Sequence, residues 1–232
     1  MQIHTYNSPI EVAQAVAQVA FVLPSQKGIT HIAVSGGSTP KLLFEEMSKN
    51  ELCSTICWEN IRLYWVDERC VPPTDEQSNY RMVEEALLSK VPIAKEHIFR
   101  IYGENNPIQE ADRYTDLVFG ELPTDNGLPV FDVVILGMGE DGHTSSIFPH
   151  RMDLLQENTP YVATTNTVGQ ARIAMTGKTI LACKQLLFHI TGENKRSIIE
   201  AIIQKKEEAK AYPSTYLFEQ REDIALYTDL SL

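Results

Sequence analysis

Cysteine is scarce in this chain: Cys53, Cys57, Cys70 and Cys183 are scattered over 232 residues. That excludes a disulfide framework holding together a small, loop-rich fold. Cys53 and Cys57 stand four apart, but no His or Cys pair follows at zinc-finger spacing, so the thiols read as reduced, in a cytoplasmic protein, with no metal site. No segment approaches the roughly 18 uninterrupted apolar residues of a membrane span. The opening MQIHTYNSPIEVAQAVAQVAFVL lacks a basic start, an apolar run and a small-residue cleavage site. Its apolar residues recur at helical spacing, which predicts a first folded element instead of a signal peptide. Positive charge is also short, with 20 Lys and Arg against 31 Asp and Glu and a net charge of −11. This argues against nucleic acid or an anionic membrane as a partner. An anionic ligand would have to be met locally, by backbone N–H groups and a few basic side chains.

What is present is the balance of an ordinary globular protein, 43% hydrophobic and 22% charged, with no repeat, low-complexity stretch or linker. The expectation is a single domain over residues 1–232. Strands are predicted at Gln2–Thr5, Thr30–Val34, Ile61–Val66, Ile98–Tyr102, Phe131–Leu136, Tyr161–Thr165, Arg172–Thr176, Leu187–Thr191 and Asp223–Tyr227. Helical spacing of apolar residues covers Pro9–Leu23, Thr39–Lys49, Ser78–Lys90, Pro107–Phe119, Lys178–Gln185 and Asn194–Gln204. Runs such as IAVSGG and FDVVILG are almost continuously apolar, as in strands buried on both faces of a parallel sheet. The alternation predicts an α/β fold, doubly wound, with a mostly parallel sheet flanked by helices in a Rossmann-like arrangement. Such sheets hold ligands beyond the carboxyl ends of their strands.

Three loops after apolar strands therefore matter. In Ser35-Gly36-Gly37-Ser38-Thr39-Pro40 the glycines permit a tight turn, and Thr39-Pro40 suits a helix start. The free N–H groups there could seat a phosphate, although a plain βα turn reads the same. The Gly-Lys-Ser/Thr ending of a P-loop is missing. A nucleophile elbow lacks its first glycine, and too little sheet precedes it, so Ser35 is set aside as a nucleophile. Asp67-Glu68-Arg69 after RLYWV, followed by Val71-Pro72-Pro73 and Ser78-Asn79-Tyr80-Arg81, reads either as a solvated turn or as Arg69 facing anionic charge with Asp67 holding it. Ser78 suits a helix N-cap.

The third loop, Gly137-Met138-Gly139-Glu140-Asp141-Gly142-His143-Thr144, contains G-x-G-x-x-G. Pro149 blocks the long helix that a dinucleotide site needs, and the second strand with its acidic end is missing. Asp141-Gly142-His143 sets an imidazole on a glycine-rich turn beside a carboxylate. A histidine so placed can act as a general base on water; a structural histidine is the alternative. Metal-ligand spacing is not recognisable around His150.

At these residues the sequence resembles the 6-phosphogluconolactonase family, within the group that includes the glucosamine-6-phosphate deaminases. The matching blocks are SGGSTP, DER…VP…SNY and LGMGEDGHTSSIFP, in order and in spacing. Weaker matches run through ARIAMTGKTI, ITGENK and YPSTY to the last strand, so nearly the whole chain is covered. A deaminase would be expected to read DGHIAFNEP and DEY; here DGHTSSIFP and Arg69 favour the lactonase. Glu140 occupies a variable position, Ser214 stands where the family often has Ala, and the last strand lacks the usual Trp.

The resemblance implies a sugar-phosphate isomerase/deaminase-type fold and hydrolysis of 6-phosphoglucono-δ-lactone to 6-phosphogluconate in the oxidative pentose phosphate pathway. It implies His143 as base, Asp141 supporting it and Arg69 stabilising charge on the carbonyl oxygen, helped by N–H groups around Gly137–Gly139. Gly36, Gly37 and Ser38 would seat the phosphate, with Lys195 and Arg172 adding positive charge and Asp67 among the binding residues. No cofactor is implied. The only partner is a small sugar phosphate, and the state expected is a monomer or weak homo-oligomer.

Overall fold

A computed structural model describes residues 1–232. Twelve strands follow in chain order: β1 (Gln2–Thr5), β2 (Thr30–Val34), β3 (Ile61–Trp65), β4 (Asp67–Arg69), β5 (Ile98–Phe99), β6 (Thr124–Asp125), β7 (Leu128–Pro129), β8 (Val133–Leu136), β9 (Tyr161–Thr165), β10 (Ala171–Met175), β11 (Gln185–His189) and β12 (Ala225–Thr228). Seven of them form one sheet in the order β1-β12-β11-β8-β2-β3-β5, and every pair in it is parallel. Neighbouring residues of a strand point to opposite faces. All of β8 is buried, and so is nearly all of β2 and β3, so both faces are covered by helices, as a doubly wound sheet requires.

The order explains where a ligand must go. From β2 the chain builds outward through β3 to β5, then returns to the other side of β2 with β8 and continues to β11 and β12. The sheet therefore reverses direction between β2 and β8, and the loops leaving these two strands part to open a crevice. Those loops are SGGSTP and GMGEDGHT.

Local chemistry fixes the helices. Ser8 Oγ accepts from the Glu11 N–H (3.2 Å) ahead of Pro9, and helix Pro9–Ala17 buries Val12, Ala13 and Val16. Asn106 caps helix Pro107–Glu121 in the same way, and Ser78 caps helix Asn79–Val83, as its sequence suggests.

Several predicted elements need correction. Asp67-Glu68-Arg69 is not a loop: Val66 donates to Val34 O (2.9 Å) as the last link to the parallel sheet and accepts from Met175 N (2.7 Å). The chain then enters a second, antiparallel sheet of order β4-β10-β9. The strand expected at Ile98–Tyr102 has only two residues. The helix expected at Lys178–Gln185 is Gly177–Ala182, because Gln185 starts β11. Helices expected at Pro9–Leu23 and Ser78–Lys90 are interrupted by π-helical segments at Gln18–Val22 and Glu84–Leu88. Helix Pro213–Gln220 and the β6–β7 hairpin around Asn126-Gly127 were not anticipated.

Candidate active site

The crevice at the β2/β8 reversal is an open cleft of about 240 Å³, and only two of the 20 residues lining it are hydrophobic. Its walls come from four strand ends: the SGGSTP loop after β2, β4, the GMGEDGHTSS loop after β8, and the segment after β11.

Helix Ser38–Met47 starts directly on the first wall. Its N-cap, Gly37, sits at φ 112° and no side chain caps the helix, so the first N–H groups are left for a ligand. Gly36 packs against the Asn79 side chain, where any Cβ would collide. Ser35 is buried and its Oγ donates to Ile135 O (2.9 Å), which ties this loop to strand β8. Lys195 lines the cleft at the end of a short 3₁₀ turn, Glu193–Lys195.

On the opposite wall, His143 Nδ1–H donates to Asp141 Oδ1 (2.5 Å). Partial burial pushes the Asp141 carboxyl up, but the hydrogen bond and charge of His143 outweigh this and hold it below the usual carboxylate range. The orienting carboxylate is thus Asp141, since Glu140 accepts from Asn194 (2.7 Å) and Asp67 from Ser146 (2.5 Å). Phe148 packs on the imidazole at 4.4 Å between centroids. Gly139 lies against the Nδ1–Cε1 edge, and a Cβ there would meet the ring and the Asp141 carboxylate. With Nδ1 engaged, Nε2 is the ring nitrogen left without a partner in the protein. Ser145 and Ser146 hold left-handed backbone (φ 48° and 52°), a strained state for non-glycine residues. Ser145 Oγ anchors it on Val66 O (2.9 Å) and Met175 O (3.0 Å).

Arg69 lines the cleft. Its Nη1 donates to Gln77 O, and its Nε has no partner in the protein. Asp67 does not hold Arg69, contrary to expectation: it accepts from Ser146 Oγ and, through its main-chain and side-chain oxygens, from Asn79 Nδ2 (2.9 and 3.4 Å). The carboxylate that ties β4 to the start of helix Asn79–Val83 is Glu68, which accepts from Ser78 Oγ and from the N–H groups of Arg69, Asn79 and Tyr80. Burial pushes its pKa up, while the N–H groups of Asn79, Tyr80 and Arg69 pull it down. Arg172 is the one predicted basic residue outside the cleft lining. It stands opposite Arg69 across β4 and β10, and its Nη2 donates to Gln170 Oε1 (2.9 Å). Burial, then the charge of Arg69, lowers its pKa.

The cleft also includes Asn79, Ser146, Thr191 and His189, which sequence reading did not select. Asn79 sits in the SNY block that carries the resemblance, which was a usable signal. His189 gave none, because it ends an apolar run. No group of three or more His, Cys, Asp or Glu side chains is placed to hold a metal ion, and no helix is long and apolar enough to cross a membrane.

A parallel sheet with a polar cleft at its reversal point defines an α/β protein of the kind whose strand ends suit a small polar ligand. Residues 8–226 match the family model for glucosamine-6-phosphate isomerases/6-phosphogluconolactonase, and the chain belongs to this family. It is 42% identical over 195 residues to a 6-phosphogluconolactonase of Haemophilus influenzae, covering 84% of this chain and 82% of that one. A 6-phosphogluconolactonase of Aggregatibacter actinomycetemcomitans is 36% identical over 97% of this chain and 95% of its own. Among solved structures, the devB protein superposes with a TM-score of 0.91 at 33% identity, covering 98% of this chain and 95% of that one.

Proposed function

We propose that this chain is a cytoplasmic 6-phosphogluconolactonase of the oxidative pentose phosphate pathway. One observation carries the reading: His143, held by Asp141 behind it, stands in the lining of a cleft that also holds an uncapped helix N-terminus. That arrangement pairs a base with an anion seat within reach of a single sugar phosphate. The similarity to named lactonases supports the same substrate.

The phosphate sits on Gly36, Gly37 and Ser38, beside Lys195. His143 Nε2 takes a proton from water as its oxygen attacks the lactone carbonyl. The alkoxide formed faces Arg69 and the N–H groups around Gly137–Gly139. When the ring C–O bond breaks, the imidazolium returns its proton to the departing ring oxygen, giving the open-chain acid. Asp141 keeps Nδ1 protonated throughout and stabilises the imidazolium. Arg172, behind Arg69, adds positive potential without touching the cleft.

The test pairs two substrates. Freshly generated 6-phosphogluconolactone should release protons faster than its spontaneous hydrolysis, and glucosamine 6-phosphate should release no ammonia. Ammonia release without lactone hydrolysis would move the chain to the deaminase branch of the family.

A further inference from the structure

His189 closes β11 in the run Leu186-Leu187-Phe188-His189-Ile190, where every neighbour is apolar. It is 1% exposed, and neither ring nitrogen has a hydrogen-bond partner in the protein. Two other histidines find partners, His31 with Tyr64 Oη at 3.1 Å and His143 with Asp141; His97 leaves one nitrogen unpaired, and only His189 leaves both buried without one. A neutral imidazole carries one donor and one acceptor, and leaving both unpaired in the interior is costly. Leu or Val would fill the wall without that cost.

Position says what the ring is for. Phe188 stacks on Phe218 at 4.4 Å, so His189 points to the opposite face of the sheet. It stands at the carboxyl edge, where His189, Ile190 and Thr191 line the cleft. Thr191 Oγ1 lies 3.0 Å from Thr39 Oγ1, which brings this strand end against the first turn of helix Ser38–Met47. The seat assigned to phosphate is the same turn, and Lys195 follows shortly along the chain. Burial pulls the His189 pKa down to about 4, so near neutral pH the ring offers a donor without charge.

We infer that His189 contacts the substrate, turning about χ2 so that its imidazole N–H donates to a phosphate oxygen of the bound ester. This rests on the phosphate-ester reading given above. Lys195 and the helix N-terminus attract the anion, and His189 orients it.

Two readouts test this. In steady-state kinetics on 6-phosphogluconolactone, His189→Phe should raise KM about ten-fold or more, the effect of a lost hydrogen bond to a charged group, and should affect kcat far less. His189→Gln, which keeps a donor, should recover most of the loss. In wild-type protein carrying ¹⁵N-histidine, saturation with inorganic phosphate should move the His189 ring resonances, and Lys195→Ala should abolish the movement at the same phosphate concentration. An unchanged KM in both variants, or His189 resonances that stay put at saturating phosphate, would overturn the inference. Failure of the wild type to hydrolyse the lactone would count against the substrate reading alone, since the phosphate titration tests His189 independently of turnover.

Discussion

At His143 the ring orientation is fixed by three neighbours: Asp141 holds Nδ1, Phe148 packs on the ring, and Gly139 leaves just enough space beside the Nδ1–Cε1 edge. His143→Ala should lower kcat by about 10²–10⁴-fold, the range for a lost general base, with KM changed much less. Lys195→Ala should do the reverse and raise KM, because ground-state binding of phosphate is lost. Asp141→Asn keeps the shape but removes the charge. The folded-state pKa of Asp141 lies below its ordinary 3.8, so its contribution to stability is present above that value and is lost as pH falls through the folded value. Melting curves should therefore separate Asp141→Asn from wild type at pH 7 and converge in strong acid. His143 stood out in the sequence as a candidate because its glycine-rich turn lies in the LGMGEDGHTSSIFP block, although a structural histidine read the same there; the structure sets it in the cleft lining. Asp141 was suggested only by its place two residues away, and the 2.5 Å contact with Nδ1 fixes the pairing.

Among the elements, the parallel strands were legible because strands buried on both faces must be apolar throughout, as in β2 and β8. Asp67-Glu68-Arg69 escaped for the opposite reason. Its three charged residues are a strand only because β10 pairs with them, and that partner lies about a hundred residues away. The π-helical segments were equally hidden, since one widened turn barely disturbs the spacing of apolar residues. The SGGSTP and GMGEDGHT loops revealed themselves through glycine, and the close packing of Gly139 on His143 gives that glycine a cause. Gly139→Ala should lower kcat at least ten-fold by displacing the imidazole, while circular dichroism and the melting temperature stay close to wild type. Full activity in this variant would show that the ring has more freedom than its packing suggests.

For the whole molecule, a net charge of −11 is compatible with the proposed anion seat because the uncapped start of helix Ser38–Met47 and Lys195 meet in one cleft at the reversal of strand order. The charge total carries no information about such a place; the glycine-rich strand ends pointed to it as a candidate. His189 also leaves a mark on global stability. Its pKa is about 4 when folded, against 6.5 for a free histidine, so between these values the unfolded chain binds more protons. Stability must then fall as pH drops from 6.5 to 4, by up to about 3 kcal/mol from this group. Urea titrations across that range should show a shallower loss for His189→Gln than for wild type. Equal slopes would mean that His189 is already charged or solvated in the folded state.

The measurement closest to the central assignment is proton release from freshly made 6-phosphogluconolactone, with the spontaneous rate subtracted and wild type run beside His143→Ala. Release that depends on wild type and is lost in the variant is the expected result. A wild-type rate no faster than the uncatalysed reaction, or a variant as fast as wild type, would contradict it: the first would remove the lactonase reading, the second the assignment of His143 as the base.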